Sequence, residues 1–308
     1  MPDVIAPAAL AAQAAPEPAE RHMPSPAPRP AAAPLLTLRA SSGWAALNFR
    51  EVWHFRDLLL SLASRDLKLR YKQTALGVIW VILQPLMAAG IFSFVFGRVA
   101  QLSSDGAPYF VFSFAGLLGW NLFSNTVTKA SGCLVGNVQL ISKVFFPRLV
   151  LPFSTVPSTL VDFGVSAAMM AVLLVVYRIP PHWGLLLLPV WIALLLSLSL
   201  GIGLCTSALT VSYRDVQYIL PVFLQVLLYA SPIAYSLTAA LTRIPKPLQA
   251  AYMLNPLSGL LEAFRWSLLG TGQVHWAYLA YSAAVSVAVF VLGSFSFKAM
   301  ERRFADVI

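Results

Sequence analysis

An all-α polytopic membrane protein is the fold this sequence predicts, and three observations predict it. The composition is 58% hydrophobic and only 11% charged over 308 residues, too little polar surface to coat a water-soluble globule. Six stretches, 77–97, 108–128, 149–177, 184–211, 216–236 and 276–297, are long and apolar enough to cross ~30 Å of hydrocarbon, and only the third holds an ionised residue, Asp162. Lys and Arg then sort by side. Six crossings return both termini to one face, and 16 of the 21 basic residues flank the spans on that face. By the excess of positive charge on cytoplasmic loops, both termini are cytoplasmic.

The elements follow in order. Residues 1–34 contain 12 Ala and 9 Pro, a mixture that supports neither a continuous helix nor a core, so 1–47 reads as a disordered cytoplasmic tail. No basic residue precedes Arg21 and prolines interrupt each apolar run, which disfavours a secretory signal. Residues 48–308 form the six-span domain. Within it, 53–73 is an amphipathic helix: Phe55, Leu58, Leu59, Leu62 and Leu69 share one face, with Asp57, Ser61, Ser64, Arg65, Lys68 and Lys72 opposite. Asp66 interrupts the apolar stripe but can pair with Arg70 one turn later. The helix lies along the cytoplasmic interface or serves as a bare anchor for the first span.

Two connections are unusually apolar. The cytoplasmic loop 130–147 carries Val138, Leu140, Ile141, Val144, Phe145 and Phe146, with Gly132 and Gly136 before the run and Pro147 ending it. A short helix there either offers Val138, Ile141 and Phe145 to a groove outside the membrane or lies flat in the headgroups. The external segment 237–275 is divided by Pro245, Pro247 and Pro256, and its helical stretch Leu257–Leu269 bears only Glu262 and Arg265, spaced to neutralise each other. Two short helices dipping into the outer leaflet at a pore mouth are the reading, because backbone at that depth must be covered by protein or line water.

Catalytic and binding chemistry is missing. The chain has no GxxxxGK[ST] loop, no paired carboxylates at a membrane face and no usable Ser/His/Asp spacing. His22, His54, His182 and His275 are too scattered for a metal site, and Cys133 and Cys205 fall in a loop and a span, where packing is the default. The net charge of +9 flanks spans instead of forming one aromatic-interleaved patch, so it reads as attraction to membrane lipid headgroups and not as nucleic-acid binding.

The order of parts, together with RDLKLRYKQTALGVIWVILQPL (Arg65–Leu86), GLLGWNLFSN (Gly116–Asn125), GNVQLISKVFFPRLVLP (Gly136–Pro152), YRDVQYILP (Tyr213–Pro221) and LNPLSGLLEAFRWSLLG (Leu254–Gly270), resembles the permease subunit of polysaccharide-exporting ABC transporters. The likeness spans about residues 50–300, and only the Ala/Pro tail departs from it. That family exports O-antigen, capsular polysaccharide and teichoic acid. The resemblance implies a homodimer in the bacterial inner membrane that encloses a channel for lipid-linked polysaccharide. It implies two ABC ATPase subunits beneath, which hold the ATP and magnesium; this chain then carries no cofactor. Arg65, Asp66, Arg70, Val138, Ile141, Phe145, Arg214 and Asp215 would couple to the ATPase, and Asn255, Glu262, Arg265 and Trp266 would form an external gate. Aromatic rings suit a sugar path, and Tyr109, Phe112, Trp120 and Phe123, with Asn121 beside Trp120, recur at helical spacing; Tyr229 and Trp266 join them. Tyr109 is equally explained as an interface belt, and Asp162 as either a channel-wall contact or a structural hydrogen bond. Rival readings are a permease for another amphiphilic cargo such as a drug, or an intramembrane lipid-glycan enzyme, which lacks candidates beyond Asp162.

Overall fold

The computed structural model describes residues 49–72 and 77–301, which fall in one unit, Ser42–Ile308, and every regular element among them is helical. The tail 1–47 and the basic pair Arg302 and Arg303 lie outside the described residues.

Helices α1 (Phe49–His54) and α2 (Arg56–Lys72) replace the single amphipathic helix, with a turn at Phe55 between them. Five segments are long and apolar enough to cross a membrane: Ile79–Val99 (α3, Gly77–Phe92, widened into a π-helix over Ser93–Val99), Tyr109–Gly132 (α4), Val150–Val176 (α6), Trp183–Ser212 (a 3-10 turn leading into α7, Leu188–Ser212) and Trp276–Glu301 (α12). A six-residue helix, α5 (Val138–Lys143), lies between α4 and α6. The fifth expected span is shorter than its apolar run. Helix α8 (Val216–Ala230) has 15 residues, about 22 Å of rise, and stops before Ser231. The cause is Pro232: the residue before a proline is driven out of the α region, and Ser231 is extended at φ −104° and ψ 150°. Beyond this break come three helices instead of two, α9 (Leu237–Arg243), α10 (Lys246–Met253) and α11 (Pro256–Leu269), because Pro245 and Pro256 each start a new one.

The bundle has two distinct ends. At one, here called the α2 end, α1 and α2 pack with the end of α4, the start of α6, and the ends of α7 and α12, around Leu134, Val150, Leu204, Ala208 and Phe297. Arg148 Nη1 donates to the Glu301 carbonyl at 2.8 Å, fixing the end of α12 beside the start of α6. At the other, the α11 end, Tyr278 near the start of α12 donates its OH to the Asn255 carbonyl at 2.9 Å, and Asn255 Nδ2 reaches Ser231 Oγ at 3.0 Å. Helix α8 therefore runs from the α7 terminus at the α2 end to the start of α11. Crossing helices approach closely where both residues are small: a Cβ on Gly293 of α12 would collide with the Gly201 carbonyl oxygen of α7.

Packing also corrects the amphipathic face of α2. Its buried side is centred between Leu62 and Ala63, so half-buried Asp66 lies on it, Arg70 reaches toward α6 from its exposed end, and Leu69 is left 51% exposed. Asp66 does not pair with Arg70. It takes Arg65 Nη2 at 3.1 Å, because Arg70 is drawn across to Asp162 on α6. Helix α4 outruns its predicted end at 128 by four residues, so Lys129 is a helical residue and the loop after it is shorter than expected.

Candidate functional site

A helix that stops inside an apolar bundle exposes carbonyl oxygens that water cannot reach, and each needs a donor. At the α8 break the donors are side chains of α4 and of α11 with its cap. Asn255 Nδ2 reaches the Ala230 carbonyl at 3.5 Å, Arg265 Nη1 donates to the Pro232 carbonyl at 2.9 Å, and the Tyr109 hydroxyl donates to the Ala234 carbonyl. Tyr235 OH donates to the Tyr229 carbonyl at 3.2 Å. Gly116 of α4 leaves room for the turn that follows α8: a Cβ there would stand 3.0 Å from the Ile233 carbonyl oxygen.

Arg265 is the centre of this clamp. It is 2% exposed, pairs with Glu262 one turn earlier on α11 (4% exposed), and sets its guanidinium 3.9 Å over the Phe112 ring of α4. Two opposite charges taken out of water together, with the remaining donors spent on a carbonyl and a ring face, are tolerable where either alone would not be. Helix α11 is itself closed at both ends. The Asn255 Oδ1 accepts from Leu257 N at 3.1 Å ahead of Pro256, and Gly270 takes the left-handed conformation at φ 67° with its N–H on the Trp266 carbonyl. The Trp266 ring stands edge-on to His182, Trp183 and Trp276, with centroids 4.8, 5.1 and 6.3 Å away.

The α2 end carries a different charge cluster. Asp162 lies twelve residues into α6, about 18 Å from its start. It accepts from Arg70 Nη1 of α2 at 2.5 Å and from Lys129 Nζ of α4 at 3.0 Å, and Lys129 also donates to Ser158 Oγ at 3.2 Å. The carboxylate is buried, whereas Arg70 is 44% and Lys129 27% exposed along the side chain. Nearby, Arg65 Nη2 donates to Asn137 Oδ1 at 2.8 Å, whose Nδ2 donates to the Cys133 carbonyl at 2.8 Å, so α2 is tied to the turn that leads into α5. Burial pushes the Cys133 thiol up to about 12. Cys133 and Cys205 are both free thiols.

The apolar residues around α5 divide. Leu140, Ile141 and Phe146 pack inward against the α2-end core, Val138 is half-buried, and Phe145 and Val144 face out, Phe145 at 70% exposure. Arg214 and Asp215 are exposed at the α7–α8 turn beside exposed Tyr213 and Tyr218. Of the aromatic residues expected on one path, Phe112, Trp120 and Phe123 lie in the core of this subunit, with Trp120 and Phe123 centroids 5.6 Å apart. Asn121 is half-buried and Tyr229 is exposed. Sequence reasoning missed Lys129 and Tyr109 as partners of Asp162 and Ala234. It also passed over the Ser231–Pro232 step, the one local signal that a helix must end there.

A family model described as ABC-2 type transporter matches residues 57–269. An O-antigen export system permease protein, RfbA, of Myxococcus xanthus is 31% identical over 259 residues, covering 84% of this chain and 98% of the relative. A protein of the same description from Klebsiella pneumoniae is 28% identical over 256 residues, 82% of this chain and 95% of the relative. The polysialic acid transport protein KpsM of Escherichia coli is 25% identical over 238 residues, 76% and 89% respectively.

Proposed function

Because the chain belongs to the ABC-2 type transporter family, we propose that it is the permease subunit of an exporter that moves lipid-linked polysaccharide of the O-antigen type across the bacterial inner membrane. ATP hydrolysis by two separate ATPase subunits drives it, and two copies of this chain enclose the path. The observation that carries the reading is the clamped break at Ser231–Ser236: interrupted backbone, held by Asn255, Arg265 and Tyr109, placed where α8, α11 and α4 meet. Irregular backbone at membrane depth belongs beside a pathway or within protein, and here side chains of α4 and α11 satisfy it.

In this reading α8 is the fifth of six crossings, supported by its ends lying at opposite ends of the bundle. The α2 end faces the cytoplasm, supported by 11 of the 16 Lys and Arg of the described residues flanking the spans on that side. Phe145, Val144, Arg214 and Asp215 offer the ATPase an exposed surface, and Ile141 anchors α5 from within. Tyr229 and Asn121 are the residues placed to meet sugar; Trp120 and its neighbours support the wall from behind.

Expression in a bacterium whose own O-antigen permease is deleted tests the function. With the ATPase of the same exporter supplied, surface polysaccharide should return, and it should not return when the ATPase cannot hydrolyse ATP. A chain that assembles with the ATPase and restores capsule but no O-antigen would reassign the cargo. Failure to assemble with any such ATPase would reject the permease reading.

A further inference from the structure

A cavity of about 390 Å³ opens at the α11 end, beside the clamp, walled by Ala107 and Pro108 ahead of α4, by 178–182 after α6, and by 269–271 after α11. Its size is within the range of ~300–1,000 Å³ that holds small ligands. The walls are mostly apolar, formed by Ile179, Pro180, Pro181 and Leu269, and the ionisable groups among them are Arg178 and His182. No carboxylate lines it. Just outside it, Asp105 Oδ2 and Glu262 Oε1 stand 3.4 and 3.2 Å from where a Gly272 Cβ would be, and Glu262 is already paired with Arg265. Among the described residues Arg178 has no ion-pair partner.

His182 is fixed as a donor. The Gly184 N–H donates to its Nδ1 at 3.2 Å, so in the neutral ring the proton sits on Nε2. Trp266 holds the ring edge-on, and Gly270 seats beneath it: a Cβ there would meet His182 Cγ at 3.3 Å. Trp183 and Trp276, both largely exposed, flank the site as rings do at a headgroup layer. A guanidinium and an imidazole N–H beside an apolar wall, with rings at interfacial depth, are complementary to a phosphodiester that continues into acyl chains.

We infer that this cavity binds the phosphate headgroup of an anionic phospholipid from the leaflet at the α11 end, with Arg178 as the charge partner.

The test uses the full-length protein and phosphatidylglycerol. Photoactivatable phosphatidylglycerol, followed by peptide mapping, should mark 178–182 or 269–271. Native mass spectrometry should show Arg178→Gln binding the lipid about fivefold more weakly, the worth of one basic residue at a headgroup, with Arg178→Lys restoring it. Phosphatidylcholine with matched chains should bind no better than phosphatidylglycerol binds to the R178Q protein. Crosslinks confined to the α2 end, or equal retention of the two lipids at this cavity, would overturn the inference. So would displacement of the lipid by glycerol 3-phosphate or by a neutral oligosaccharide at equal concentration, which would give the cavity to a soluble phosphate or a glycan.

Discussion

The two ends of the bundle both rest on charge, but they handle it in opposite ways. At the α11 end, Glu262 and Arg265 are shut away from water on one helix and lock the α8 break to α4. At the α2 end, one buried carboxylate, Asp162, is shared between two cations on two other helices, and both cations are only partly buried. A buried pair is costly to break from one side, whereas a half-exposed one is weak, replaceable and sensitive to salt. The α11 end is thus built to keep a single geometry, and the α2 end to let α2 shift against α6 and α4 at small cost.

Five substitutions sharpen that contrast, in falling order of effect. Glu262→Ala leaves Arg265 buried without its partner and should cost about 3–5 kcal/mol, seen as a large drop in the detergent melting temperature. Melting unchanged by E262A would show that the clamp does not hold α11. Trp120→Ala should cost up to about 3–5 kcal/mol through the cavity it leaves, since the ring is 6% exposed. If W120A instead melts normally and only lowers export, the ring fronts the path after all. Around α5, Ile141→Asp should destabilise by ~1–3 kcal/mol, whereas Phe145→Asp should leave melting unchanged and release the ATPase during copurification. The smallest measurable loss of stability is that of Arg70→Ala, which leaves Asp162 with Lys129 and should cost about 1 kcal/mol, shrinking further as salt is raised. A cost as large as that of E262A would erase the difference between the two ends. A chemical readout accompanies these: with its thiol held at about 12 by burial, Cys133 should resist alkylation at pH 7.5 in the folded protein and react once it is denatured.

The long helices were legible because each is a long apolar run with few charges, and α4, α6, α7 and α12 lie where hydropathy put them. The fifth run was misread in length because hydropathy does not register backbone conformation; Ser231 and Pro232 are compatible with lipid yet end the helix. Glu262 and Arg265 could be paired from their spacing, since one helical turn brings them together. Neither the cation-π contact with Phe112 nor the Pro232 carbonyl could be foreseen, because both lie on elements distant in sequence. The same reason explains Asp162. Its burial demanded a partner, but Arg70 and Lys129, 92 and 33 residues away, are chosen by how α2 and α4 pack on α6. The α4 rings have helical spacing whether they face a channel or a core, and only the packing of α6, α7 and α11 around them decides.

Photocrosslinking from single sites to the coexpressed ATPase tests most directly whether the adaptable end is the one that receives the drive. A photoreactive phenylalanine analogue in place of Phe145, at the α2 end, should crosslink to the ATPase, and the same analogue in place of Trp183, at the α11 end, should not. A crosslink from position 183 without one from 145 would invert the assignment of the two ends and contradict the account.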